Sequence, residues 1–197
     1  MREAFWNVYS PGCSEHYLLH IMRRSPNYVK ELAYVAVLDG KIVGLVAFMK
    51  ACILTDGGRK VDVLSMGPIG VLPECQNMGI GRRLIERAKE EAARLGYRAI
   101  LLCGEPRYYS KVCFVAAEQY GVRTAENKYF AALQVGPLYD GALDGASGRY
   151  FEDEIYNVDE AQVAAFDSLF PAKERIEGTP TQRRFAEVCA MQRDFIP

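Results

Sequence analysis

Apolar positions recur along this chain with two different periods, and the switches between them lay out the elements. Residues 15–24 place Tyr17, Leu18, Ile21 and Met22 at helical spacing and stop before Pro26. LAYVAVL, residues 32–38, reads as a strand. Asp39-Gly40 is a strong short hairpin signal, and residues 42–53 supply the answering strand. The turn TDGGRK, residues 55–60, leads into VDVLSMGPIGVLP, residues 61–73. Its early part alternates, while Gly67, Pro68 and Gly70 predict a bulge or a break in pairing. Leu84, Ile85, Ala88, Ala92 and Leu95 then form one helical stripe, closed by Gly96 at a C′ position. RAILLC, residues 98–103, is almost wholly apolar, as a central strand covered on both faces requires. Residues 108–117 predict a short helix and residues 128–135 a further strand.

After Gly136 the pattern weakens. GPLYDGALDGASGRY is turn-rich, residues 159–170 read as one amphipathic helix, and FPAKERIEGTPTQ reads as extended or loop. The expected organisation is a domain over residues 1–135 with an extension, 136–197, packed on it. The class is α/β of the α+β type, with a sheet antiparallel early and parallel across the central helix.

Composition narrows the function by exclusion. A net charge of −1 and a pI near 6.2 give no bulk field for nucleic acid or an anionic membrane. The most apolar run, residues 42–54, carries Lys50 and is too short to span a bilayer. Residues 1–9 have no apolar signal-peptide core, so a cytoplasmic location is expected. Six scattered cysteines form no CxxC pair, and neither His16 nor His20 stands at zinc-like spacing from one. No metal is expected, and the cysteines read as reduced and mostly buried, with Cys75 an incidental small residue.

One segment carries chemistry. ECQNMGIGRRLIERAKEEAARLG, residues 74–96, sets Gly79 and Gly81 where a helix begins. Glycine is a poor interior helix residue, but bare backbone at a helix start offers unpaired N–H donors to an anion. A P-loop fails because Arg82 and Arg83 follow Gly81 instead of Lys and Ser or Thr. A dinucleotide fingerprint is weak because Leu84 stands near the third glycine position and no acid ends the next strand convincingly. The remaining reading is a pyrophosphate held by consecutive amides after a bulged strand.

For that reading, Gln76-Asn77-Met78-Gly79-Ile80-Gly81 matches Q/RxxGxG/A, preceded by the strand GPIGVLP. Here the chain resembles the GNAT N-acetyltransferase superfamily, bacterial branch. EPRYYSKVCF, residues 105–114, is similar to a D-P-x-Y-Y-x-x-F-G-F segment there, with Glu105, Val112 and Cys113 departing from it. The likeness covers residues 32–135 best. It implies a GNAT fold whose central strands splay into a V, acetyl-CoA as co-substrate, and direct transfer to a primary amine in a ternary complex. It places Ile69, Gly70, Val71, Gln76, Asn77, Met78, Gly79, Ile80, Gly81 and Arg82 on the cofactor, and makes Tyr109 the general acid. The N–H of Val71 would hold the thioester oxygen. Tyr108 reads as structural.

The acceptor is not legible, and the general base is open among Glu105, Asp62, His16, His20 and a water chain. Glu152, Asp153 and Glu154 read as a solvated face; Phe5, Trp6 and Tyr9 read as packing on the sheet. The family's usual first strand has no counterpart before MREAFWNVY, so residues 32–38 are expected to show an open edge, which invites a homodimer. The competing function is a non-catalytic CoA-binding sensor or scaffold.

Overall fold

Two short helices, α1 (Arg2–Phe5) and α2 (Glu15–Met22), open the chain in the computed structural model, which describes residues 1–196. β1 (Tyr34–Leu38) and β2 (Lys41–Thr55) then form the hairpin that Asp39-Gly40 predicts, and both turn residues take positive φ. β3 (Lys60–Val71) returns antiparallel to β2 over most of its length. Opposite Ala47 it carries two residues, Gly67 and Pro68, so the pairing jumps from Phe48–Met66 to Val46–Ile69. That is the predicted bulge.

α3 (Ile80–Arg94) is followed by β4 (Ala99–Cys103), α4 (Pro106–Tyr109) and the two-residue strands β5 (Val115–Ala116) and β6 (Val122–Arg123). Next come β7 (Lys128–Phe130), β8 (Leu133–Pro137) and β9 (Gly148–Phe151), then α5 (Glu160–Asp167), α6 (Pro180–Ala190) and β10 (Gln192–Asp194). The main sheet runs β5-β8-β4-β3-β2-β9-β6, with β1 on β2 beside β9. Among the described residues only the β3–β4 and β6–β9 pairs are parallel. Among the described residues β1 pairs with β2 alone, and Val35 and Val37 on it are exposed.

The sheet separates two apolar layers by its period of two. Val46, Phe48, Leu64, Met66, Ile100 and Leu102 pack with Leu84, Ile85, Ala88 and Ala92 of α3 on one side. On the other, Ile53, Val63, Leu101, Val135 and Tyr150 form a second core, and Ala47 and Met49 pack under α2. Burying one such side chain fully is worth roughly 1.5–3 kcal/mol, so these layers dominate the fold.

Several expectations are corrected. Residues 108–117 are not one helix: α4 ends at Tyr109, a 3₁₀ turn follows over Ser110–Val112, and β5 pairs with β8. Residues 128–135 are two strands, because Ala131 turns its N–H to Met191 and β7 pairs with β10 instead of joining the main sheet. The helix over 159–170 shortens to α5, with Asp159 as its N-cap. The loop reading of FPAKERIEGTPTQ misses α6, whose start is a Thr179/Gln182 capping box with Pro180 in the first turn. The cysteines are mostly not buried: Cys75 is, whereas Cys103 and Cys113 are exposed.

Candidate functional site

The parallel pair of β3 and β4 is two residues long. Leu64 faces Ile100 and Ser65 faces Leu101; beyond them β3 continues to Val71 on β2 while β4 turns wholly to β8. The bulge at Gly67-Pro68 begins the divergence, and the strands open into a fork. Leu72 donates its N–H to Val43 of β2, so the N–H of Val71, one residue earlier, faces the other way, into the fork. Gln76 Nε2 donates to the Val71 carbonyl at 3.2 Å and ties the loop to the strand end.

That loop delivers α3 to the mouth of the fork. Gly79 is the N-cap with φ 78°, a left-handed backbone that glycine adopts without strain, and a Cβ there would meet nothing within 4 Å. Gly81 is different: its φ is ordinary, but a Cβ would stand 2.8 Å from the Tyr108 hydroxyl. No side chain caps α3 and no acid lies in its first turn. The helix thus presents bare N–H donors and about half a positive charge to the opening. This arrangement fits an extended pyrophosphate with a thioester arm lying along Ile69–Val71. The Arg82 side chain runs back to Glu86 at 2.6 Å, so its backbone, not its guanidinium, faces the loop. Ile69 and Ile80 are partly buried in the α3-side core, and Met78 is exposed.

Tyr109 stands on α4, just beyond the end of β4. Glu105 caps α4 by accepting from the Arg107 N–H at 3.1 Å, with Pro106 at the first helical position. Cys113 takes φ 60°, the left-handed turn a glycine would take freely, and Phe114 returns its N–H to the Tyr109 carbonyl at 3.1 Å. Lys89 of α3 clamps this return by donating to the carbonyls of Val112 and Cys113 and lying over the Phe114 ring. The Tyr109 ring packs so closely on Gly104 that a Cβ there would overlap it. Burial pushes the Tyr109 phenol well above its ordinary range, so it holds its proton throughout neutral pH. Tyr108 stands edge-on to it, centroids 5.0 Å apart.

The four side chains weighed as general bases lie elsewhere or are engaged. Glu105 receives a two-pronged Arg184 from α6 at 2.7 and 3.2 Å, which holds its carboxyl below the usual range. Asp62 is exposed beside Lys60. His16 stands 3.2 Å from Asp167, and His20 stacks on Phe166. Of the aromatic trio, Phe5 packs against Gly70 on β3, but Trp6 donates to the Glu174 carbonyl and Tyr9 packs on Phe185. Sequence reading also missed Lys89, Arg184 and the surroundings of Glu152: charged residues at helical or strand spacing look solvated until the fold supplies their partners. One cavity, of about 530 Å³, lies beside Lys50 and Asp62 and is also lined by Glu152, and another, of about 700 Å³, lies between α2 and Phe170. Among the described residues no cluster of His, Cys, Asp and Glu could hold a metal ion, and no helix is long and apolar enough to cross a membrane.

Comparison with known proteins agrees with this geometry. The family model of the acetyltransferase (GNAT) family matches residues 1–113. The uncharacterized N-acetyltransferase YhbS of Escherichia coli K12 is 28% identical over 119 residues, 60% of this chain and 70% of its own length. A crystal structure of Escherichia coli YhbS in complex with CoA superposes with a TM-score of 0.66 at 27% identity, covering 74% of this chain and 78% of that one. A GNAT family acetyltransferase from Brucella melitensis in complex with acetyl-CoA gives 0.59 at 25% identity, covering 79% and 86%.

Proposed function

The chain belongs to the acetyltransferase (GNAT) family, an acyltransferase family, and on that premise we propose that it moves the acetyl group of acetyl-CoA to a primary amine by direct transfer. The observation that supports this reading is the fork itself, where an uncapped glycine helix start meets the inward Val71 N–H, with Tyr109 on the short helix that follows β4. Two relatives with this fold were crystallised with CoA and acetyl-CoA.

Acetyl-CoA supplies the activated thioester. The backbone of Gln76, Asn77, Met78, Gly79, Ile80, Gly81 and Arg82 holds the pyrophosphate, because Gly81 leaves the space a Cβ would take and the first-turn N–H groups have no other partner. Ile69 and Gly70 lie along the arm. The Val71 N–H, turned away from β2 into the fork, favours negative charge on the carbonyl oxygen. Tyr109 keeps its proton until a thiolate needs it, and the raised affinity of its buried phenol makes it a reservoir rather than a strong acid. Tyr108, beside Gly81, touches the cradle and not the reacting end.

The test measures thiol release with a panel of primary amines alongside the melting shift given by acetyl-CoA. Tyr109→Phe should lower kcat about 10²- to 10⁴-fold with the shift kept, while Tyr108→Phe acts mainly on KM. Gly81→Asp should abolish the shift. Equal small effects of both tyrosine variants would remove Tyr109 from the mechanism. A full shift in Gly81→Asp would remove the loop from the cofactor site. Binding without turnover across the panel would favour the sensor reading.

A further inference from the structure

At the crotch of the fork, on the face turned away from α3, polar groups from three strands converge where the apolar pattern should continue. Along β3, Val61 and Val63 enter the core opposite α3, and Ser65 is the next residue on that face. Along β4, Ala99 and Leu101 enter the same core, and Cys103 is next. Along β9, Tyr150 enters it, and Glu152 is next beyond the strand end. Ser65 is also the last β3 residue paired with β4.

These groups touch. Glu152 Oε2 lies 3.4 Å from the Ser65 hydroxyl and 3.4 Å from the Tyr150 hydroxyl. Tyr156 donates to the carbonyl of Gly67, in the diverging part of β3, at 3.1 Å. Ser65 is almost fully buried, whereas Glu152 and Cys103 remain open to solvent on one side. Water therefore reaches the carboxylate through a walled opening. Among the described residues the side-chain partners of Glu152 are the Ser65 and Tyr150 hydroxyls, and no lysine or arginine pairs with it.

We propose that Glu152 is the acceptor site: its carboxylate seats a primary alkylammonium that enters from the face opposite α3, with Tyr150 and Tyr156 walling the carbon chain. This rests on the transfer reading above and names its substrate class. An unpaired carboxylate beside an apolar layer gains most from a cation that brings its own apolar body, and tyrosine faces add to that attraction. An acceptor carrying a carboxylate next to its amine would meet repulsion there instead. Burial raises the proton affinity of Glu152, and the charge of Glu126 raises it further, after the opposing hydrogen bonds of Ser65 and Tyr150. One ammonium proton can thus pass to Oε2 and on to water, leaving the nitrogen lone pair free to attack across the fork.

Calorimetry on the full chain, without turnover, tests this using phenethylammonium and phenylacetate, probes of similar bulk and opposite charge. The wild type should bind the cation at millimolar concentration and the anion at least about tenfold more weakly. Glu152→Gln should weaken the cation about 10- to 100-fold, the worth of one hydrogen-bonded charge, and leave the anion no weaker. Glu152→Asp, with the carboxylate withdrawn by one methylene, should lose less and also covers failure of the Gln variant to fold. The acetyl-CoA melting shift, measured in parallel, should stay unchanged in both. Equal binding of the two probes, cation binding indifferent to Glu152, or no cation binding by the wild type would each overturn the proposal. Loss of the acetyl-CoA shift in the wild type would instead strike the transfer reading, which these probe titrations do not assume.

Discussion

The fork and the C-terminal strap, residues 154–196, are held by opposite means. Around the fork, Phe48, Leu64, Ile85, Ile100 and Leu101 are closed to solvent, and the strands supply the hydrogen bonds. In the strap α5 contributes no buried residue and α6 only Val188. It is attached by ring contacts at the surface, Phe166 on His16 and His20 and Phe185 on Tyr9, and by directed polar pairs. Arg2 donates to Asp167 at 2.6 Å while lying over Trp6; Asn7 binds the backbone of Glu174 and Ile176; Gln182 donates to the Asn7 carbonyl; Arg184 grips Glu105. Apolar burial is non-directional and sums over many contacts, so it gives the fork its stability. Directed pairs fix where the strap lies at little net gain, since each also sheds water.

Core truncation should expose the difference most sharply. Phe48→Ala removes a ring with no solvent exposure and is expected to cost about 3–5 kcal/mol in a denaturant melt. A loss below about 1 kcal/mol would mean that the sheet layers are not the main support.

Asp167→Asn comes next, at about 1.5–3 kcal/mol, because it weakens the pair with Arg2 and leaves that buried cation under-satisfied. The same site sets a pH response. The hydrogen bond from Arg2 holds Asp167 below the usual carboxylate range, so its contribution is complete above that range and is lost as pH falls through the depressed value. Burial lowers the His16 imidazole despite the nearby Asp167, so its contribution is complete above the usual imidazole range and declines as pH falls below it. Both push one way. Acidification should therefore release strap amides to hydrogen exchange before those of β2 and β3, and Asp167→Asn should remove the more acidic stage. Simultaneous release of both regions would break the comparison.

Arg184→Met should have the smallest effect on stability, under about 1 kcal/mol, because the pair with Glu105 is partly solvent-exposed. Its effect on turnover should be larger in proportion. Glu105 is also the cap of α4, so freeing it loosens the helix that carries Tyr109, and kcat should fall about several-fold with KM for acetyl-CoA nearly unchanged. A KM change without a kcat change would show that the strap acts on the cofactor instead.

The same contrast explains what the sequence discloses. β2, β3, α3 and β4 are legible because their burial repeats at two or at about 3.6 residues, and the Gln76–Gly81 motif is legible because glycine is costly unless backbone must be bare. The strap is nearly illegible. α6 has its capping box in plain sight, Thr179 and Gln182, but the stretch before it carries no period to flag a helix. Glu152 reads as a surface charge and Arg184 carries no signal at all, since nothing near them in sequence names Ser65 or Glu105 as a partner. Periodicity reports what a residue turns toward the core; it is silent on pairs made across the fold.

The pairing of α1 with the strap has a consequence for how the molecule is made. Arg2 meets Asp167 across 165 residues, and Trp6 meets Glu174 across 168. Translation releases this helix well before Asp167 and Glu174, which leave the exit tunnel only after β1 to β9. The apolar seat of α1, Phe5 against Gly70 of β3, is thus available before its polar fastening to Asp167 and Glu174 can form.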